Sequence, residues 1–208
     1  MTIIGIAGPL GSGRGDLHPV LTAWDFAVID LDAIAARSRC EDPIVRAAYK
    51  RYGLLGSIRQ DGDRTGEYYR RVVTSPQPHA DVTAIEIQVV AKMIPAIMQQ
   101  EAAANIALSG SCLHLMLPHL PPLDHVVLCL PPVGVWYGRL RRWAQATEIQ
   151  QDPDSTWLSQ LVRNMGIDQP GIMARVAEHI GLSKSLILID TSHEDGGAAD
   201  LWRLLAPG

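Results

Sequence analysis

Ile3-Ile4-Gly5-Ile6-Ala7-Gly8-Pro9-Leu10-Gly11-Ser12-Gly13-Arg14-Gly15-Asp16 is the stretch around which the rest of the chain is organised. The apolar run Ile3 to Ala7 reads as a buried strand, the glycines after it permit a tight turn, and Asp16 to Ala23 returns to helical spacing. Strand, glycine-rich turn and helix in that order make a phosphate-binding P-loop. Glycine lets the backbone bend its N–H groups inward around an anion, and a helix N-terminus adds its dipole. Gly8 and Gly13 fit the pattern G-x-x-x-x-G-K-[ST], whereas Arg14 stands at the lysine position and Gly15 at that of the magnesium-binding hydroxyl. Arginine keeps the charge and grips phosphate as a fork, but it is longer and planar and does not deliver lysine's point charge. Asp16 follows, a carboxylate suited to facing magnesium, which needs only one or two. The expected nucleotide loop is therefore Gly8, Gly11, Ser12, Gly13, Arg14, Gly15 and Asp16, with ATP and Mg²⁺ as its ligands.

The next apolar strand, Phe26 to Ile29, ends in Asp30-Leu31-Asp32 and turns into the Ala-rich segment from Ala33. In an open parallel sheet, ligands bind at the carboxyl ends of the strands. Spaced by two along a strand, Asp30 and Asp32 would share a face there. A carboxylate in that place takes a proton from a substrate hydroxyl or holds magnesium through water. The alternative is structural: Asp32 caps a helix that begins near Ala33.

Length and composition bound the possibilities. A chain of 208 residues with 47% hydrophobic content is one compact domain with ample core. Its net charge of -4 leaves no basic footprint for nucleic acid. No apolar run has the length of a membrane span, and the start lacks a charged segment followed by a signal core. Cys40, Cys112 and Cys129 are few, odd in number and widely spaced, which fits reduced thiols and a cytoplasmic protein. Cys112, His114, His119 and His125 are a conceivable zinc cluster, but no CxxC or HxxxH pair supports it, and small buried thiols with surface histidines are the simpler reading.

Further along, Ile44, Ala47, Ala48, Arg51 and Tyr52 have helical spacing up to Gly53, and Ile85, Val89, Met93, Ile94 and Ile97 predict the buried face of a helix that Pro95 should kink or interrupt. Asn105 to Leu108, Asp124 to Leu130 and Leu186 to Ile189 read as further strands, with helices opening near Trp136 and Leu201. Strands alternating with helices argue for a parallel sheet covered on both faces.

The first stretch, together with Val28-Ile29-Asp30-Leu31-Asp32-Ala33-Ile34-Ala35, resembles dephospho-CoA kinase, whose P-loop strand is followed by an aspartate pair of the form "VIDADxIA". Other segments resemble that family in order. Tyr52-Gly53 through Asp61-Gly62-Asp63-Arg64 to Arg70 and Val73 is similar to "FG…dGsldR…L…vF". Asp124 to Leu130 with Arg139 to Arg142 is similar to "D-R-V-V-V-V-x-A-P…Q-x-x-R-L". Arg163 to Ile167 with Ala174 to Ala177 is similar to the lid stretch, and Leu186 to Ser192 to "ADvvIdNsg". The resemblance implies an α/β P-loop kinase fold with a core at about 1–36, 104–140 and 184–208, a helical substrate region at about 37–103 and a lid at about 141–183. It implies ATP-dependent transfer of the γ-phosphoryl to the ribose 3′-hydroxyl of dephospho-CoA. In that reading Asp32 is the base, Arg14 and the loop hold phosphate, and Arg139 and Arg142 are lid arginines that neutralise the transferring group. Asp30, Arg64 and Arg70 contact substrate, and Asp16 or Asp30 attends magnesium through water.

The chain departs from the family where "VVLDVPLLFE" becomes Asn105-Ile106-Ala107-Leu108-Ser109-Gly110-Ser111-Cys112-Leu113-His114-Leu115, so that Asp becomes Ser109 and Glu becomes Leu115. Losing one preorganised charge costs about 10²- to 10³-fold in rate. Two alternatives therefore stand beside the kinase: a catalytically degenerate relative that binds a nucleotide, a CoA-like ligand or a protein, and a kinase turned to a nucleoside or nucleotide substrate.

Overall fold

A computed structural model describes residues 2–101, 105–147, 149, 153–179, 183–192 and 197–205. The strands are β1 (Thr2–Ala7), β2 (Phe26–Asp30), β3 (Asn105–Gly110), β4 (Leu123–Cys129) and β5 (Ser183–Ile189). The helices are α1 (His18–Ala23), α2 (Leu31–Glu41), α3 (Pro43–Arg51), α4 (Gly66–Thr74), α5 (Pro76–Gln100), α6 (Leu113–Met116), α7 (Val133–Ala146), α8 (Ser155–Asn164), α9 (Gln169–His179) and α10 (Ala198–Leu205). The five strands form one parallel sheet in the order β2-β3-β1-β4-β5. This is the α/β architecture expected from the alternating pattern.

Alternation along the central strand β1 assigns the two layers. Ile4 and Ile6 face Leu17, Leu21 and Leu201, the layer of α1 and α10. Ile3 and Ala7 join the larger core that holds Ile34, Val90, Ile94, Leu113, Trp136 and Leu140 from α2, α5, α6 and α7. A third cluster, with Val45, Tyr49, Tyr68, Val72, Val82 and Leu161, knits α3, α4, α5 and α8 together. Among the described residues, no helix is long and apolar enough to cross a membrane.

Three helical expectations need correction. Helix α5 runs unbroken from Pro76 to Gln100 with Pro95 inside it. The missing proline N–H costs about 3 kcal/mol, and fully burying an aliphatic side chain such as Val90 or Ile94 returns about 1.5–3 kcal/mol. The face α5 buries carries His79, Val82, Thr83, Glu86, Ile87, Val90, Ala91 and Ile94. Ile85, Val89, Met93 and Ile97 lie at its margin. In α3 the buried residues are Val45, Ala48 and Tyr49, while Ile44 is 61% exposed. On α5 the polar and charged residues His79, Thr83 and Glu86 on the true stripe hid its phase.

Two buried imidazoles make stability depend on pH. His79, which pairs with the Tyr68 hydroxyl, is pushed by burial down to about 3, and His114 by burial down to about 4. Both are neutral in the fold, and only the unfolded chain takes up their protons as pH falls from about 6.5 towards those values. Stability is thus fully present above about pH 6.5 and lost below it, by about 1.4 kcal/mol per histidine per pH unit. Urea denaturation at about pH 7 and pH 5 should show this loss, and His79→Gln should halve its slope. A stability flat across that range would contradict it.

Candidate active site at the carboxyl edge of the sheet

Parallel strands bring every following loop to one edge. The register sets Ala7 beside Gly110 and Leu128, and Asp30 beside Ser109. The P-loop after β1, the aspartates after β2, Ser109 to Ser111 at the end of β3 and Thr191 after β5 therefore meet.

The P-loop is held from several sides. Gly11 (φ +77°) and Gly13 (φ +82°) take left-handed conformations that favour glycine. A Cβ on Gly8 would lie 2.5 Å from Ser12 Oγ and 2.9 Å from the Cys129 carbonyl. Trp136 Nε1 donates to the Leu10 carbonyl at 2.7 Å, and the Thr191 hydroxyl donates to the Ser12 carbonyl. Arg139 Nη2 donates to the Thr191 carbonyl at 2.9 Å. Its Nη1 is buried without a partner among the described residues, as is Ser12 Oγ. That Nη1 lies only 2.7 Å from where a Cβ on Gly13 would be, so the guanidinium covers the loop. Ser12 N–H donates to the Pro9 carbonyl and Asp16 N–H to that of Gly13, both at 2.9 Å. The intervening amides of Gly13, Arg14 and Gly15 have no acceptor among the described residues. The expected helix from Asp16 is a 3₁₀ turn, Arg14–Leu17, followed by the six residues of α1, where Pro19 sits at the start. The dipole of so short an element adds little, and attraction for an anion rests on the loop amides, Arg14 and Arg139.

Of the two aspartates, Asp30 rather than Asp32 is the one that caps the helix. Helix α2 begins at Leu31, and Asp30, in extended conformation, is its N-cap: one carboxylate oxygen accepts from Asp32 N at 2.9 Å and Ala33 N at 3.2 Å. Asp32 lies in the first helical turn, so the two do not share a strand face. Its carboxylate pairs with Arg14 Nη2 and accepts from Ser111 N at 3.1 Å and Ser111 Oγ at 2.9 Å. With its side chain 39% exposed, it remains open to a ligand.

A cavity of about 230 Å³ adjoins it, lined among others by Asp32, Arg39, Arg59, Arg64, Tyr69 and Ser111. Behind it, Arg39 Nε bonds Glu86 Oε2 at 2.8 Å and Arg64 Nη2 bonds Glu86 Oε1 at 3.2 Å. Tyr49 donates to Glu86 at 3.0 Å and accepts from Arg64 at 2.9 Å. Burial alone would raise the Glu86 carboxyl, but the charges of Arg64 and Arg39 overcome it and hold the group below its ordinary value. The lining thus sets Arg39, Arg59 and Arg64 against Asp32 and Asp63, with Glu86 behind, so positive and negative groups nearly balance and the arginines stand as fixed donors rather than as a net positive wall.

Other candidates lie apart. Arg70 is tied to Glu67 at 3.3 Å and to the Ile149 carbonyl at 3.1 Å, and is absent from the cavity lining. Arg142 is exposed on α7, and Asp16 is exposed beside Gly13. Among the described residues, no group of three metal-ligating side chains forms, so Cys112, His114, His119 and His125 make no zinc cluster. Nor is His114 a surface histidine: it is 1% exposed, with Nε2 2.9 Å from the Gly166 carbonyl. Sequence reasoning missed Ser111, Arg39 and Glu86. Glu86 had left a signal, a carboxylate one helical turn from Val82 and Val90 on an apolar stripe. His18 was missed too; its Nε2 lies 2.7 Å from Ser109 Oγ and links α1 to the end of β3.

No family model matches the chain. It is similar to the dephospho-CoA kinase of Thermus thermophilus, 51% identical over 37 residues, 18% of this chain and 18% of that protein. It is also similar to the dephospho-CoA kinase of Bordetella avium, 32% identical over 144 residues, 68% of this chain and 59% of the other. The matched stretches thus span less than two thirds of these relatives' lengths. In fold it resembles TT1252 from Thermus thermophilus (TM-score 0.59, 19% identity, 100% and 98% of the two chains). It likewise resembles shikimate kinase from Acinetobacter baumannii (TM-score 0.51, 14% identity, 99% and 90%). Dephospho-CoA kinase from Campylobacter jejuni shares the fold at TM-score 0.50 and 12% identity, over 98% and 96%. Taken with the parallel sheet and its P-loop edge, these likenesses identify the chain as a dephospho-CoA kinase-like member of the P-loop kinase family.

Proposed function

We propose that the chain transfers a phosphoryl group from ATP to a small hydroxyl-bearing acceptor, dephospho-CoA at its ribose 3′-hydroxyl. The observation that carries this reading is Asp32, a carboxylate on an arginine-bearing cavity and in contact with the P-loop cation. The loop suits an anion: among the described residues the amides of Gly13, Arg14 and Gly15 have no acceptor, and Arg139 Nη1, beside Gly13, has no partner. For magnesium the donors are fewer, because Asp30 is engaged as a cap, which leaves Asp16, exposed beside Gly13. No step is assigned to the metal.

ATP, when bound, supplies the transferable γ-phosphoryl. Arg14, now shared with Asp32, turns its fork to the phosphates, which frees the carboxylate to take the acceptor's hydroxyl proton. Ser111 holds that carboxylate in place through two donors. Arg139 neutralises charge at the loop, with Arg142 available from the same helix. Arg64 and its neighbours on the cavity wall take the acceptor's phosphates. In this reading the span 37–103 is the acceptor region and 141–183 the lid.

A second reading draws on the same ion pair. If Arg14 never leaves Asp32, the scaffold binds ligand without turnover. Calorimetric titration with MgATP separates the two, since Arg14→Ala should weaken nucleotide binding about tenfold or more if the fork reaches phosphate, a charged hydrogen bond being worth about 1.5–3 kcal/mol. Unchanged affinity would place Arg14 outside the phosphate site.

A further inference from the structure

A second cavity, of about 390 Å³, shares Met165 with the Asp32 cavity and no other lining residue. Its walls come from α5, α6, the end of α8 with the turn after it, and α9, and include Thr83, Ile87, Leu115, Arg163 and Arg175. Arg175 Nη2 stands 3.9 Å from the position a Cβ on Gly166 would take, which sets the guanidinium at the turn. Neither arginine is paired with a carboxylate among the described residues, and none of the residues lining the cavity is acidic. Asp168, the nearby carboxylate, lies outside the lining and accepts from Gly171 N at 2.9 Å. Thr83 is 7% exposed, and its hydroxyl has no partner among the described residues. A buried hydroxyl without a partner costs free energy that a ligand oxygen would recover.

We propose that this cavity binds a small phosphate monoester. Two unpaired guanidiniums match a dianion and the fork geometry of phosphate. The Thr83 hydroxyl donates to an oxygen of the ligand, and the short organic body lies against Ile87 and Leu115. The volume is that of a small-molecule site. Its walls lie in the spans read above as acceptor region and lid, but they include neither the P-loop nor Asp32, so its binding is tested apart from phosphoryl transfer.

The test is calorimetric titration with n-butyl phosphate, using 1-butanol as the uncharged control. Arg14→Ala is run beside the parent to separate the P-loop, and Arg163→Gln and Arg175→Gln to probe the cavity. Both cavity arginines are exposed, so these variants should fold, which circular dichroism checks. The expected result is binding that survives in Arg14→Ala, weakens about 10- to 100-fold in either cavity variant as loss of a charged hydrogen bond implies, and is absent with butanol. No binding by the parent, binding lost in Arg14→Ala, or parent-like binding by both cavity variants would each overturn the proposal.

Discussion

Asp32→Asn is expected to lower phosphoryl transfer about 10²- to 10⁴-fold, the usual contribution of a positioned general base. The substitution keeps the shape of the side chain and its acceptance from Ser111, while removing the group that takes the proton. It also releases Arg14 from its ion pair, so MgATP should bind at least as tightly as to the parent. Loss of turnover with affinity kept separates a base from a structural carboxylate, whose removal would weaken both. Steady-state kinetics beside calorimetry measure the split, and undiminished turnover would remove Asp32 from the mechanism.

Glu86→Ala should destabilise the fold by about 3–5 kcal/mol, the cost of breaking a buried ion pair by removing one partner. It would strand the Arg39 and Arg64 guanidiniums, both almost fully buried, and leave the Tyr49 hydroxyl without its acceptor. The combined change Arg39→Met, Glu86→Leu and Arg64→Met should recover much of that loss, because well-packed apolar residues often match a buried ionic cluster in stability. It should nonetheless bind an anionic acceptor more weakly, since of the three arginines lining the cavity only Arg59 would remain. Chemical denaturation of both variants tests this, and a Glu86→Ala protein within about 1 kcal/mol of the parent would show that water reaches the cluster.

The fold was legible because its deciding signals are local. A buried strand before glycines, an aspartate pair after the second strand and alternating elements each constrain the backbone within a few residues. The site was legible only in its parts. The sequence brings Arg14 and Asp32 within 18 positions of each other, but not that they pair, because that depends on where α2 starts and on the 3₁₀ turn that replaces the first turn of α1. Asp30 became a cap for the same reason: a helix start displaced by two residues decides which carboxylate caps and which faces the cavity. Ser111 and Glu86 act through contacts 79 and 47 positions distant, a separation no local pattern encodes. Pro95 shows the converse, a local rule overridden by burial around it.

The central claim is best tested by incubating the parent chain with MgATP and dephospho-CoA and detecting the 3′-phosphorylated product directly by mass spectrometry. The account predicts product that accumulates in proportion to enzyme and is abolished by Asp32→Asn. Absence of product at high enzyme concentration, from protein shown to bind MgATP, would contradict it and leave a nucleotide-binding scaffold in its place.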